Sequence, residues 1–181
     1  LKSTNQLTDD DIVFLLQCLG DESWRVRKEA IELAVYNPTE KTVNMLVQAL
    51  SSEDNAGLRN AAQEALTLIG NQVIKPLIDH FPKADNDVKK FILDILGDIR
   101  SYTVCDFLIQ RLNESDENVV IAACENIGKL GCKNAVMPLL SILNPQKQWL
   151  SFVIIESLAQ IGEPFNAEKI LPLWEIPQLR K

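Results

Sequence analysis

Five carboxylates recur at matched places along this chain: Glu32, Glu64, Asp94, Glu125 and Glu156. Acids in a regular row raise the local negative potential, which gathers cationic side chains and steers basic partners. Close to the last of them stand two aromatic residues. Trp149, Phe152 and Glu156 fall at i, i+3 and i+7, so they share one stripe of a helix. Ile121 and Glu125 hold matching positions one period earlier. Together these residues describe an apolar anchor with a negative rim. That is the chemistry of gripping a segment rather than of breaking a bond.

Catalytic constellations are missing from the same inventory. The single histidine, His80, precedes Phe81 and cannot build a His-rich metal site. There is no Gly-rich phosphate loop, no GxSxG and no spaced Cys/His set. Neither a metal nor a cofactor is therefore expected, and binding is favoured over catalysis. The four cysteines, Cys18, Cys105, Cys124 and Cys132, form no CxxC pair. Cys18, Cys105 and Cys124 sit in apolar helical runs and read as small hydrophobes. The expectation is reduced thiols without a disulfide, in a cytoplasmic protein.

Charge and hydropathy narrow the partners. The formal net charge is -7 and the sequence pI about 4.8, which repels phosphate backbones and argues against nucleic acid. No apolar run approaches the roughly 20 residues needed to cross a bilayer, so no membrane is expected. A hydrophobic content of 46% over 181 residues is enough to bury a continuous core. The chain opens on Leu1 rather than Met, which leaves room for a longer multidomain protein.

The elements that must position these residues come from an internal repeat. Leu19, Leu50, Phe81, Leu112, Leu143 and Trp174 lie 31 residues apart at every step. Four residues before each stands Leu15, Leu46, Leu77, Leu108, Leu139 or Ile170. This i, i+4 pairing is a helical stripe, here helix A. A second frame, helix B, starts at Val26, Leu58, Val88, Val119 and Leu150, with further core positions four, eight and eleven residues on. Gly70, Gly131 and Gly162 follow the last core residue, where a left-handed cap is wanted. Thr8 before three aspartates predicts the first N-cap. The reading is one all-α domain over 1–181, with repeats at about 9–37, 41–70, 72–100, 102–131 and 133–162 and a partial cap at 164–181.

The segments Pro76-Leu77-Ile78 and Pro138-Leu139-Leu140, the starts Val26-Arg27 and Leu58-Arg59, and the run Ala61 to Leu66 carry a resemblance. The chain resembles the HEAT repeat family over about residues 9–174, in particular its short-period, phycobilisome-lyase-like group. The resemblance implies a right-handed α-solenoid with helix A on the convex side and helix B on the concave side. It implies a protein-binding scaffold or, alternatively, a bilin lyase or lyase-like chaperone that handles a tetrapyrrole. The family's basic residue after the helix B start is kept as Arg27, Arg59 and Lys89 and replaced by Val120 and Ser151, so any basic ladder stops halfway. The iron-binding His-Glu pairs of HEAT-like hydroxylases are absent, and the acidic B face departs from the basic one of HEAT-like DNA glycosylases.

On that geometry the five acids form a column along the inner groove. Two accounts of the column stand: a solvated face laced by pairs such as Lys28–Glu32 and Lys90–Asp94, or a groove for a basic or amphipathic segment of another protein. Two accounts also stand for the Trp149–Phe152 patch: contact with a partner, or cover by residues 164–181 folding back. Trp24 reads as a turn-packing residue or part of an end cap, and Trp174 as core of the capping unit.

Overall fold

The computed structural model describes residues 7–166, 168 and 170, and the chain divides into unit 1, Leu1–Ile95, and unit 2, Leu96–Lys181. Unit 1 holds α1 (Asp9–Leu19), α2 (Trp24–Tyr36), α3 (Glu40–Ala49), α4 (Ala56–Ile69), α5 (Ile74–His80) and most of α6 (Asn86–Asp98). Unit 2 holds α7 (Cys105–Arg111), α8 (Glu117–Leu130), α9 (Val136–Ser141) and α10 (Gln148–Ile161). Odd-numbered helices are the A helices and even-numbered ones the B helices. No strand occurs among the described residues.

The expected register is the observed core. Leu15, Leu19, Leu46, Leu50, Leu77 and Phe81 are buried in unit 1, and Leu108, Leu112 and Leu139 in unit 2. The second and third B positions are buried in every repeat, from Ala30 and Ala34 to Ile154 and Leu158. Leu58, Ile69, Ile99 and Ile170 are half-buried rather than buried. Val26 is exposed, because no earlier repeat covers it among the described residues, and Leu143 is only half-buried. The expectation for Trp174 lies outside the described residues.

Local chemistry starts each helix. Thr8 and Asp11 form a reciprocal capping box, with the Thr8 N–H donating to Asp11 at 2.9 Å. The same bonds hold the Asp11 carboxyl below its usual range. Asn55, Asp85 and Asp116 accept from the N–H three residues on, at the starts of α4, α6 and α8. Pro76 and Pro138 stand in the first turns of α5 and α9, where the missing N–H has no helical acceptor to lose. Short 3-10 turns lead into these helices at Gly70–Val73 and Lys133–Ala135.

The basic residue after the B-helix start has a structural task. The Arg27 guanidinium donates to the carbonyls of Asp21 and Glu22 at 2.7 and 3.0 Å. Arg59 does the same for Ser52 and Glu53 at 2.7 and 3.1 Å. In the fifth repeat the Ser151 hydroxyl donates to the Asn144 carbonyl at 2.8 Å. Arg27, Arg59 and Ser151 thus clamp their A–B turns, whose carbonyls the helices leave unpaired.

Glycine closes three of the B helices with φ of 78°, 68° and 70° at Gly70, Gly131 and Gly162. The third repeat places Arg100 at this position with φ 55°, the left-handed region that a Cβ disfavours. Arg100 is exposed, so Arg100→Gly should raise stability by about 0.5–1 kcal/mol in urea melts. A loss would mean that the Arg100 side chain holds the turn.

The cysteine expectation is corrected. Cys105 and Cys132 form a disulfide, with Cα atoms 5.7 Å apart, while Cys18 and Cys124 are free. The separation of 27 residues is close to one repeat, so stacking brings the start of α7 beside the residue after Gly131. Spacing within a local motif could not reveal a pair made by the repeat itself. The cytoplasmic placement thereby loses its premise of reduced thiols. Burial, reinforced by the neighbouring Glu125 charge, pushes the Cys124 thiol up to about 12. Alkylation of the native chain near pH 8 should therefore leave Cys124 unmodified, and non-reducing peptide maps should show Cys105 linked to Cys132. Cys124 labelling as fast as a free thiol would contradict this packing.

Candidate partner-binding surface

In unit 2 the outward stripes of α8 and α10 flank an open groove of ≈ 530 Å³. Glu125 and Glu156 stand on its walls, Gln160 lies further along it, and Gly128 and Ser157 line it as well. Gly128 lets the two helices approach closely. A Cβ added there would stand 2.8 Å from the Ser157 Cα, a backbone atom that cannot swing aside. Ser157 in turn donates its hydroxyl to the Cys124 carbonyl at 2.8 Å, tying α10 to α8. Gly128→Ala should thus destabilise the protein by about 1–3 kcal/mol, read from urea melts; an unchanged midpoint would refute the close approach. Sequence analysis passed over Gly97 and Gly128. Their signal was glycine inside a helical pattern, which often marks tight packing. A Cβ at Gly97 would run into the buried Asn126 side chain rather than into backbone.

The acids are outward as expected. Glu32, Glu64, Glu125 and Glu156 are exposed and Asp94 is half-buried. Unit 2 brings Glu125 and Glu156 to one groove. In unit 1, Glu64 lines a separate groove between α2 and α4 with Trp24, Lys28 and Asn60, and Glu32 is not among its lining residues. Lys90 pairs with Asp87 at 3.3 Å. Lys129, on the wall of the unit 2 groove, is ion-paired to Asp98, which leaves the groove's negative character in place.

The aromatic stripe is present. Trp149 is 61% exposed and stacks on Phe152, with ring centroids 5.5 Å apart and planes at 21°. Phe152 is half-buried while Trp149 projects, and Ile121 on α8 is half-buried as well. A stacked ring on a helix that also carries an exposed carboxylate is suited to an apolar anchor. Of the segment expected to fold over the patch, only residues 164–166, 168 and 170 are described; the remainder lies outside the described residues. Lys133, on the turn into α9, pairs with Glu163 at 2.6 Å, and that bond holds its ammonium above the usual range.

Trp24 is 61% exposed at the start of α2, with the Arg25 guanidinium 5.6 Å from its ring centroid, so of its two expected roles it does not take that of packing into the turn. His80 is half-buried near Lys75 and Lys83, beside a groove between α3 and α5. Among the described residues no cluster of three or more His, Cys, Asp or Glu could hold a metal ion, and no helix is long and apolar enough to cross a membrane.

Comparison with known proteins agrees with the repeat register. No curated protein matches the chain. Among solved structures, the crystal structure of an engineered protein from the Northeast Structural Genomics Consortium is similar. It is 19% identical, with 84% of this chain and 79% of that chain covered and a TM-score of 0.47. A likeness that loose carries no argument about function. The sequence pattern of HEAT repeats matches residues 12–97 and again residues 74–159, which takes in both units and nearly all of the described helices. The chain belongs to the HEAT-repeat family.

Proposed function

We propose that this HEAT-repeat chain is a protein-binding scaffold that receives a basic or amphipathic segment of another protein on its helix B face. The observation that carries the reading is Trp149, exposed and stacked on Phe152 near the start of α10, the helix whose Glu156 lines a groove together with Glu125. Repeat arrays commonly use the face lined by one helix series as an extended binding surface. The five repeats would act as one domain, with Asp94, Glu64 and Glu32 of unit 1 as further contact residues for the basic segment. The cytoplasmic placement belongs to the same proposal, although a disulfide persists best in an oxidising compartment.

Pull-down from native lysate with the wild-type chain and with Trp149→Ala tests this. A protein captured by the first and lost with the second supports the reading. Lysate proteins held equally by both, and released by changes on the A helices, would overturn it. The alternative, a bilin lyase or lyase-like chaperone, rests on the resemblance to the lyase-like subgroup alone. Mixing with bilin decides it: a scaffold leaves the chromophore's absorbance unchanged, whereas a lyase-type subunit shifts it.

A further inference from the structure

The Cys105–Cys132 disulfide lies wholly within unit 2. It joins the first residue of α7 to the residue that follows the Gly131 cap of α8. Other contacts run through the same turn. The Asn134 side-chain amide donates to Asp106 at 2.8 Å, Lys133 pairs with Glu163 at 2.6 Å, and the Cys132 N–H donates to the Ile127 carbonyl at 3.1 Å. The turn therefore meets the start of α7, the end of α8 and the residue after the Gly162 cap of α10. α7 and α9 have only 7 and 6 residues, so packing rather than propensity keeps them helical.

The repeat design does not require this bond. The places of Cys105 and Cys132 are held by Val43 and Asn71 in the second repeat, Ile74 and Ser101 in the third, and Val136 and Glu163 in the fifth. Those repeats stack without a covalent link, so the fourth and fifth keep a packed core when theirs is open. Both half-cystines are buried, but Cys132 sits beneath the exposed Lys133 and Asn134, and opening that single turn bares its sulfur. We infer that the Cys105–Cys132 disulfide is a reversible redox lock on the fourth and fifth repeats. Closed, it holds α9 and α10 against α7 and α8; open, it leaves the chain folded with α9 and α10 loosened. The reaction is thiol–disulfide exchange with a dithiol. One thiolate of the dithiol attacks a sulfur of the pair, the S–S bond breaks, and the other cysteine leaves as a thiolate that takes up a proton. The second thiol of the dithiol resolves the mixed disulfide, so the chain gains two electrons and two protons while the dithiol becomes a disulfide. The cross-link acts by removing conformations from the opened chain, and in a repeat array that effect stays with the linked repeats and their neighbours. α10 carries Trp149 and Glu156, so the lock bears on the proposed partner surface, but its test does not rest on that reading.

Hydrogen exchange read by mass spectrometry, on the full chain with and without dithiothreitol, tests the lock. Intact mass should first show the folded chain gaining two hydrogens on reduction. Amides of residues 133–161 should then exchange at least about ten-fold faster, while those of α1 to α4 keep their rates. Oxidised glutathione should restore the original pattern. The reduced wild-type chain keeps both sulfurs, so its exchange separates loss of the bond from loss of packing. Cys105→Ala combined with Cys132→Ala should exchange as the reduced chain does and ignore the reductant, which ties the effect to this pair. Equal protection in the oxidised and reduced chains overturns the inference. So does a pair that yields to dithiothreitol only after urea has unfolded the chain, or a reduction that unfolds every helix, since the bond would then be a permanent staple.

Discussion

Leu108→Ala and Leu139→Ala should each lower folding stability by about 2–5 kcal/mol. Both side chains are fully buried, and both lie on the A-helix stripe of unit 2. Removing three heavy atoms from such a site loses their transfer free energy and leaves a cavity that close-packed neighbours fill only in part. α7 and α9 are short, with 7 and 6 residues, so their helicity depends on this packing more than on propensity. Urea denaturation followed by circular dichroism measures the loss. A change below about half a kilocalorie at both positions would mean that the stripe does not form the core. A surface change at Lys133 is the control, since its partner Glu163 is an exposed-side ion pair worth little to stability.

Trp149→Ala should weaken binding of the partner by about 2 kcal/mol or more, a rise in Kd of roughly thirty-fold. The indole is large, rigid through its stack on Phe152, and already exposed, so its contact area is available without reorganisation of the chain. Phe152→Ala should act in the same direction by removing the ring that orients Trp149. Glu125→Lys together with Glu156→Lys should instead slow association and flatten its salt dependence, because groove charges act chiefly on encounter. Surface plasmon resonance at several ionic strengths separates the two effects. If the aromatic variants bind normally while A-helix variants lose binding, the B-face reading fails.

These two expectations differ in how far the residues alone support them. Leu108 and Leu139 could be assigned to the core from spacing, because a 31-residue period with i, i+4 pairing has few structural solutions. The outward placement of Glu125, Glu156 and Trp149 follows from the same periodicity. The meeting of Glu125 and Glu156 in one groove does not. It required the close approach of α8 and α10 at Gly128 and Ser157, which depends on which residue of one helix faces which residue of the next.

The sequence by itself determined the helical class, the repeat register, the N-caps at Thr8 and the buried stripe, all of which arise from contacts within a few residues or from a period repeated many times. Tertiary structure decided everything that depends on neighbours distant in the chain. It paired Cys105 with Cys132, because stacking sets one repeat's start beside the next one's turn. It assigned Arg27 and Arg59 to turn carbonyls, because a guanidinium takes the unpaired acceptors within its reach. It put Arg100 in a left-handed cap, because the third B helix must turn where its neighbours turn although no glycine stands there. And it left Val26 and Leu33 in solvent, because a position that is core by period is buried only when another repeat lies against it.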